Sequence, residues 1–128
     1  MAEMSDYLEN KILDYVLRDT ADWAPSTVYL ALHTGDPTDV TSAGLANEVD
    51  VTRQAIEFDA AHATTGVTQN TNIETFTSMP AVTVTHIGVW DAASSGNLLF
   101  HTAVDTSKAV LAGDTISVAA GAVTVTLA

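Results

Sequence analysis

From Thr27 onward, apolar side chains recur at every second position, and this rhythm confines most of the chain to extended structure. In TVYLALH, residues 27–33, Val28, Leu30 and Leu32 share one face while Tyr29, Ala31 and His33 share the other. VTRQAIEF, residues 51–58, alternates through Ile56 and Phe58, and Ile73 to Thr77 suits a short strand ending before Pro80. AVTVTHIGVWDA, residues 81–92, starts with Val82 and Val84 on one parity and then slips to Ile87 and Val89 on the other. A bulge near Thr85–Gly88 produces such a slip, and so does a strand end buried on both faces. Leu98, Phe100 and Val104 follow on one parity, then Ile116 and Val118, then Val123, Val125 and Leu127. Burial of the last three is worth about 2 kcal/mol each, which makes the final strand integral.

Turn residues punctuate this pattern at GDPTD (35–39), Ala93–Gly96 and AGDT (112–115). Residues 40–50 lack periodicity and read as a loop; residues 63–72 read as a turn or a mobile strand edge. Some seven short strands at near-regular spacing predict a mainly β fold, a single antiparallel β-sandwich or small barrel. One helix precedes it. In SDYLENKILDYVLR, residues 5–18, Ser5 can cap, Asp6 and Glu9 sit near the positive end, and Arg18 sits near the negative end. Leu8, Ile12, Tyr15 and Val16 form an apolar stripe that Leu13 and Leu17 widen. Residues 1–20 are thus the helical part and 21–128 the β-body of one domain.

Charge narrows the partners. Lys11, Arg18, Arg53 and Lys108 are the only Lys and Arg residues against 16 carboxylates, for a net charge of −12. A nucleic-acid binder making about 6–10 phosphate contacts needs more basic groups than that. The carboxylates are dispersed, which suits a surface kept from sticking by like charge. No apolar run approaches the roughly 20 residues of a membrane helix, and the acidic start has no apolar core of a secretory signal. The chain reads as a soluble protein without nucleic-acid or membrane partners. Cysteine is absent, so disulfides and thiol chemistry are excluded.

Candidate chemistry is sparse. Ser94 or Ser95, His101 and Asp91 supply the residue types of a nucleophilic triad, but no G-x-S-x-G elbow exists and the serines lie in a short loop. His33, His62, His86 and His101 show no i, i+4 pair, and a cross-strand meeting of His86 with His101 gives two ligands rather than a closed site. Asp36, Asp39 and Asp50 lack calcium-loop spacing, and no phosphate-binding glycine motif occurs. No catalytic residue, metal ligand or cofactor is assigned, and the chain reads as a non-enzyme. Arg53, nearly alone among carboxylates, is expected to pair with one of them. Trp23, Trp90 and Tyr29 could form a sugar-stacking platform, although such tryptophans more often anchor a core or interface.

MSDYLENKILDYVLR, VYLALHTGDPTD, TRQAIEF, VTHIGVWDAASSGNLLFHTAV and GDTISVAAGAVTVTL, in that order, resemble a family of small structural proteins of tailed bacteriophages. Residues 40–50 and 59–75 are not matched. The resemblance implies a virion component made in the host cytoplasm, tail-fibre-like or a capsid decoration protein, with no catalytic residues. Compact size, acidity and the absence of repeats or heptads favour a cement protein on the head exterior, bound to the major capsid protein or other virion proteins. Such a protein is expected to be a homo-oligomer, with a trimer favoured. A tail-fibre or tail-tip component is the alternative, and a carbohydrate-binding module the more distant one. The expected partner-binding residues are Leu8, Ile12, Tyr15 and Trp23, from a helix set apart from the body by Asp19–Pro25. The competing expectation is that this stripe covers the open end of the sandwich.

Overall fold

The computed structural model describes residues 2–18 and 24–127. β1 (Glu3–Met4), β2 (Val28–His33), β3 (Gln54–Ile56), β6 (Val82–Trp90) and β7 (Leu98–Val110) form one antiparallel sheet in the order β1-β7-β6-β2-β3. Two small antiparallel ladders, β4 (Val67–Gln69) with β9 (Thr124–Thr126) and β5 (Glu74–Phe76) with β8 (Ile116–Val118), complete the β-structure. The fold is mainly β, as the alternation predicts, and the sheet is open, not a closed barrel.

The parity of the apolar residues decides what lies between the layers. Leu30 and Leu32 of β2, Ile56 of β3, and Val84, Ile87 and Val89 of β6 meet Phe76, Met79, Val110 and Val123 in one buried cluster. Ala31, Trp90 and Leu98 form a smaller cluster of their own. The slip in β6 is real: its register against β7 shifts between Val84 and His86, and again between Val89 and Trp90. Ile87, Gly88, Val89 and Trp90 are all buried, so the strand end is covered on both faces as well. Gly88 does not make the bulge. A Cβ there would lie 2.7 Å from His33 Nε2 and 3.0 Å from Trp90 Nε1, so glycine supplies room for those rings.

The described residues contain two helices, where the sequence pattern predicts one. Besides α1 (Asp6–Arg18), residues expected to form a loop contain α2 (Thr41–Asn47). The sequence TSAGLAN hides it, because a seven-residue helix with a glycine shows no apolar period. Gly44 is buried there, and a Cβ on it would come within 2.9 Å of Trp90 Cζ2. Thr41 Oγ1 accepts from Leu98 N at 3.2 Å. At the other end of the chain, Val123 and Val125 are buried as expected, but Leu127 is 53% exposed. β7 is longer than its apolar pattern suggests. β1 pairs only with Phe100 and His101, and among the described residues no strand pairs with the outer edge from Ala103 to Val110.

Candidate functional site

Helix α1 starts on a fixed base. Ser5 is fully buried; its hydroxyl donates to Leu98 O and accepts from Leu8 N at 3.3 Å, the cap expected from sequence. Ser5 N donates to Leu99 O at 2.9 Å, and Asp6 N donates to Asp39 O at 3.0 Å. Leu8 is buried beside this base and Ile12 is half-buried. Beyond it the apolar face runs out of cover. Leu13 is 55% exposed, Tyr15 53%, Val16 68% and Leu17 75%. Leu13, Val16 and Leu17 stand at i, i+3 and i+4, so they form one stripe directed at solvent. Of the residues expected to bind a partner, Leu8 belongs to the packed base, Ile12 lies between, Tyr15 is free, and Trp23 lies outside the described residues. Arg18 and Asp14 pair at 3.0 Å on the exposed surface, where an ion pair adds little.

The β6–β7 hairpin is a rigid corner. Asp91 accepts from Asn97 N at 2.7 Å and from Asn97 Nδ2 at 2.9 Å, and Ser95 and Gly96 take positive φ values of 53° and 71°. Arg53 is 5% exposed and donates to Glu48 through Nε at 2.7 Å and Nη2 at 2.6 Å. Its Nη1 donates to Ala92 O at 2.7 Å and Ser95 O at 2.9 Å, and its guanidinium lies 4.1 Å from the Trp90 ring centre. This is the carboxylate pairing expected of Arg53, in bidentate form. Trp90 is fully buried and presents no ring face to a sugar. Trp90 Nε1 donates to His33 Nε2, while His33 Nδ1 meets Asn47 Oδ1 at 2.8 Å. Burial holds the His33 imidazole below its ordinary pKa, so it is a neutral member of the network.

No nucleophilic triad assembles from the expected residues. Asp91 is engaged with Asn97, while His101 turns to other carboxylates. His86 is opposite His33 on β2 and Ala103 on β7, and His101 is opposite Gly88 and Glu3. His101 Nε2 lies 2.9 Å from Asp39 Oδ1 and 4.0 Å from Glu3 Oε2, and Nδ1 lies 3.7 Å from Asp36 Oδ1. Sequence spacing conceals this cluster, because β1, a turn and β7 each contribute to it. Elsewhere, Val28, Phe58, Val89, Phe100, Val125 and Leu127 line an apolar groove of about 300 Å³. None of these features is a complete catalytic arrangement. The geometry is that of a braced β-body carrying a projecting helix.

Residues 3–126 match the family model described as Podophage GP4 fiber I protein gp80. The chain belongs to this gp80 family. The match bears out the resemblance to small structural proteins of tailed phages and makes the chain a phage virion structural protein. It also takes in residues 40–50 and 59–75, which the quoted motifs left unmatched, so α2 and β4 lie within the gp80 region. No curated protein matches the chain. The gp80 description names a fibre, the alternative to the head-exterior position expected above. No helix among the described residues is long and apolar enough to cross a membrane.

Proposed function

We propose that the protein is a non-enzymatic structural subunit of a phage fibre, joined to its neighbours through α1. The observation that carries this reading is the solvent-directed stripe of Leu13, Val16 and Leu17 on a helix whose base is locked to β7. A lone helix has no reason to hold three large aliphatic side chains in water, since each loses about 1.5–3 kcal/mol of available burial. Charge supports the same end of the molecule. Of the four Lys and Arg residues, Lys11 and Arg18 lie on α1, whereas Arg53 is buried in its ion pair. Two β-bodies therefore repel, and contact is least opposed at the helix. The occupant of the stripe is another copy of the chain, a trimer being the favoured closed form, or an adjoining virion protein.

The test replaces Leu13, Val16 and Leu17 with Glu together. The variant is expected to keep its melting transition, to lose oligomers in analytical ultracentrifugation, and to be missing from particles assembled in its presence. A folded variant that still assembles and is still packaged would overturn the reading. Decoration of the head exterior is the second reading, favoured by a body with neither repeats nor coiled-coil heptads. Electron cryo-microscopy of intact particles separates the two by where the polypeptide lies.

A further inference from the structure

We propose that Glu3, Asp39 and His101 form a binding site for a divalent cation of the zinc class at the base of α1. The three side chains each offer one ligand atom, and those atoms lie within 4.8 Å of one another. Metal bonds of about 2.0–2.2 Å to nitrogen and oxygen place neighbouring ligand atoms roughly 3–3.5 Å apart. The observed 2.9 Å from His101 Nε2 to Asp39 and 4.0 Å to Glu3 bracket that spacing, so small side-chain rotations complete the site. Two carboxylates cancel the charge of the ion. One imidazole nitrogen with two carboxylate oxygens suits zinc or manganese better than calcium, which prefers oxygen alone.

The imidazole gives an independent indication. His101 is 4% exposed, and Asp36 faces Nδ1 at 3.7 Å, too far for a hydrogen bond. A neutral ring that donates from Nε2 to Asp39 leaves the bare Nδ1 lone pair turned toward the Asp36 carboxylate. A cation on Nε2 reverses this: the proton then sits on Nδ1 and points at Asp36, the carboxylate–histidine arrangement that orients metal-bound imidazoles. The site opens on a groove of about 370 Å³ lined by Glu3, Asp36, His86, His101 and Asp105, through which an ion and its waters can enter.

The ion would add a side-chain cross-link between segments that the β1–β7 ladder and the backbone bonds at the helix base already bring together. Glu3 belongs to β1, His101 to β7, and Asp39 to the turn whose backbone carbonyl accepts from Asp6 N at the first turn of α1. Cation binding therefore further stiffens the base from which the helix leaves the body. This proposal does not depend on what the helix contacts.

The experiment titrates the full chain, stripped with EDTA, with zinc, manganese and calcium chlorides near neutral pH by isothermal calorimetry. Zinc is expected to bind one ion per chain, more tightly than calcium, and to slow amide exchange at residues 5–9. Glu3→Gln and Asp39→Asn, changes at side chains 73% and 52% exposed, are expected to fold and to lose the site. Asp36→Asn is expected to weaken zinc roughly tenfold or more. Cobalt added in place of zinc should give visible absorption bands in the parent and none in Asp39→Asn. Absence of saturable zinc binding would overturn the proposal. So would binding that survives both Glu3→Gln and Asp39→Asn, since that ion would be held elsewhere. A melting temperature unmoved by any of the three cations would overturn it too.

Discussion

Trp90 Nε1–H donates to His33 Nε2 at 3.4 Å while the two rings stack, with centroids 6.0 Å apart and planes 19° from parallel. The bond requires Nε2 to be unprotonated, which places the ring proton on Nδ1, facing Asn47 Oδ1 at 2.8 Å. Burial is the main cause of the lowered His33 pKa. In the unfolded chain the same ring takes a proton near about 6.5. Stability contributed by neutral His33 is therefore complete above that pH and is lost as the pH falls toward the folded value. The expected outcome is a nitrogen NMR signature of neutral, Nδ1-protonated His33 that persists below pH of about 6.

Gly88→Ala tests the space beneath those rings. The added methyl would meet His33 Nε2 at 2.7 Å and both Leu98 Cδ1 and Trp90 Nε1 at 3.0 Å. A loss of about 1–3 kcal/mol is expected by chemical denaturation. Gly35→Ala is the control, because its nearest neighbour, Asn47 Nδ2, would be 3.5 Å away in ordinary contact.

Glu48→Gln leaves the Arg53 guanidinium buried without its counter-charge. Removal of one partner of a buried pair costs about 3–5 kcal/mol, and the partial exposure of Glu48 places this case at the lower end. Arg53→Lys should fare no better, since an ammonium cannot span Glu48 and the hairpin carbonyls together. Thermal melting of both variants checks this.

Glu74 is buried at 4% exposure, and its Oε1 has no hydrogen-bond partner. Burial raises its pKa, helped by nearby Glu57 and opposed by a bond to Asn72. The folded carboxyl holds its proton at a higher pH than the unfolded one, so ionisation weakens the fold as the pH rises through the folded value. Glu74→Gln is expected to stabilise by on the order of 1 kcal/mol at neutral pH. The gain should shrink as the pH falls toward about 4.3, which paired urea titrations will show.

Deletion of residues 122–128 removes the buried Val123 and Val125, each worth about 2 kcal/mol. It also strips the buried Asn70 of the backbone partner that its Oδ1 accepts from, Val123 N at 2.9 Å. Soluble folded protein should not be recovered, and a truncated chain with a parent-like melt would refute this.

The parts legible in the sequence were those with a period. Alternation located β2, β6 and the buried face of Val123 and Val125, and the cap at Ser5 with its acidic first turn located α1. The phase slip announced the irregular register of β6. Short elements without a period stayed hidden: α2 has seven residues and β1 has two. The carboxylate–histidine cluster was hidden for another reason. Asp39 and His101 are 62 positions apart, and only the pairing of β1 with β7 and the turn before α2 bring Glu3, Asp39 and His101 together. Trp90 shows the converse case, since its residue type permits a stacking surface and only its surroundings exclude one.

Because β1 spans just two residues, no strand among the described residues pairs with the outer edge of β7 from Ala103 to Val110. Asp105 and Lys108 stand on that stretch, and a charged border of this kind discourages a neighbour from zipping on as a further strand.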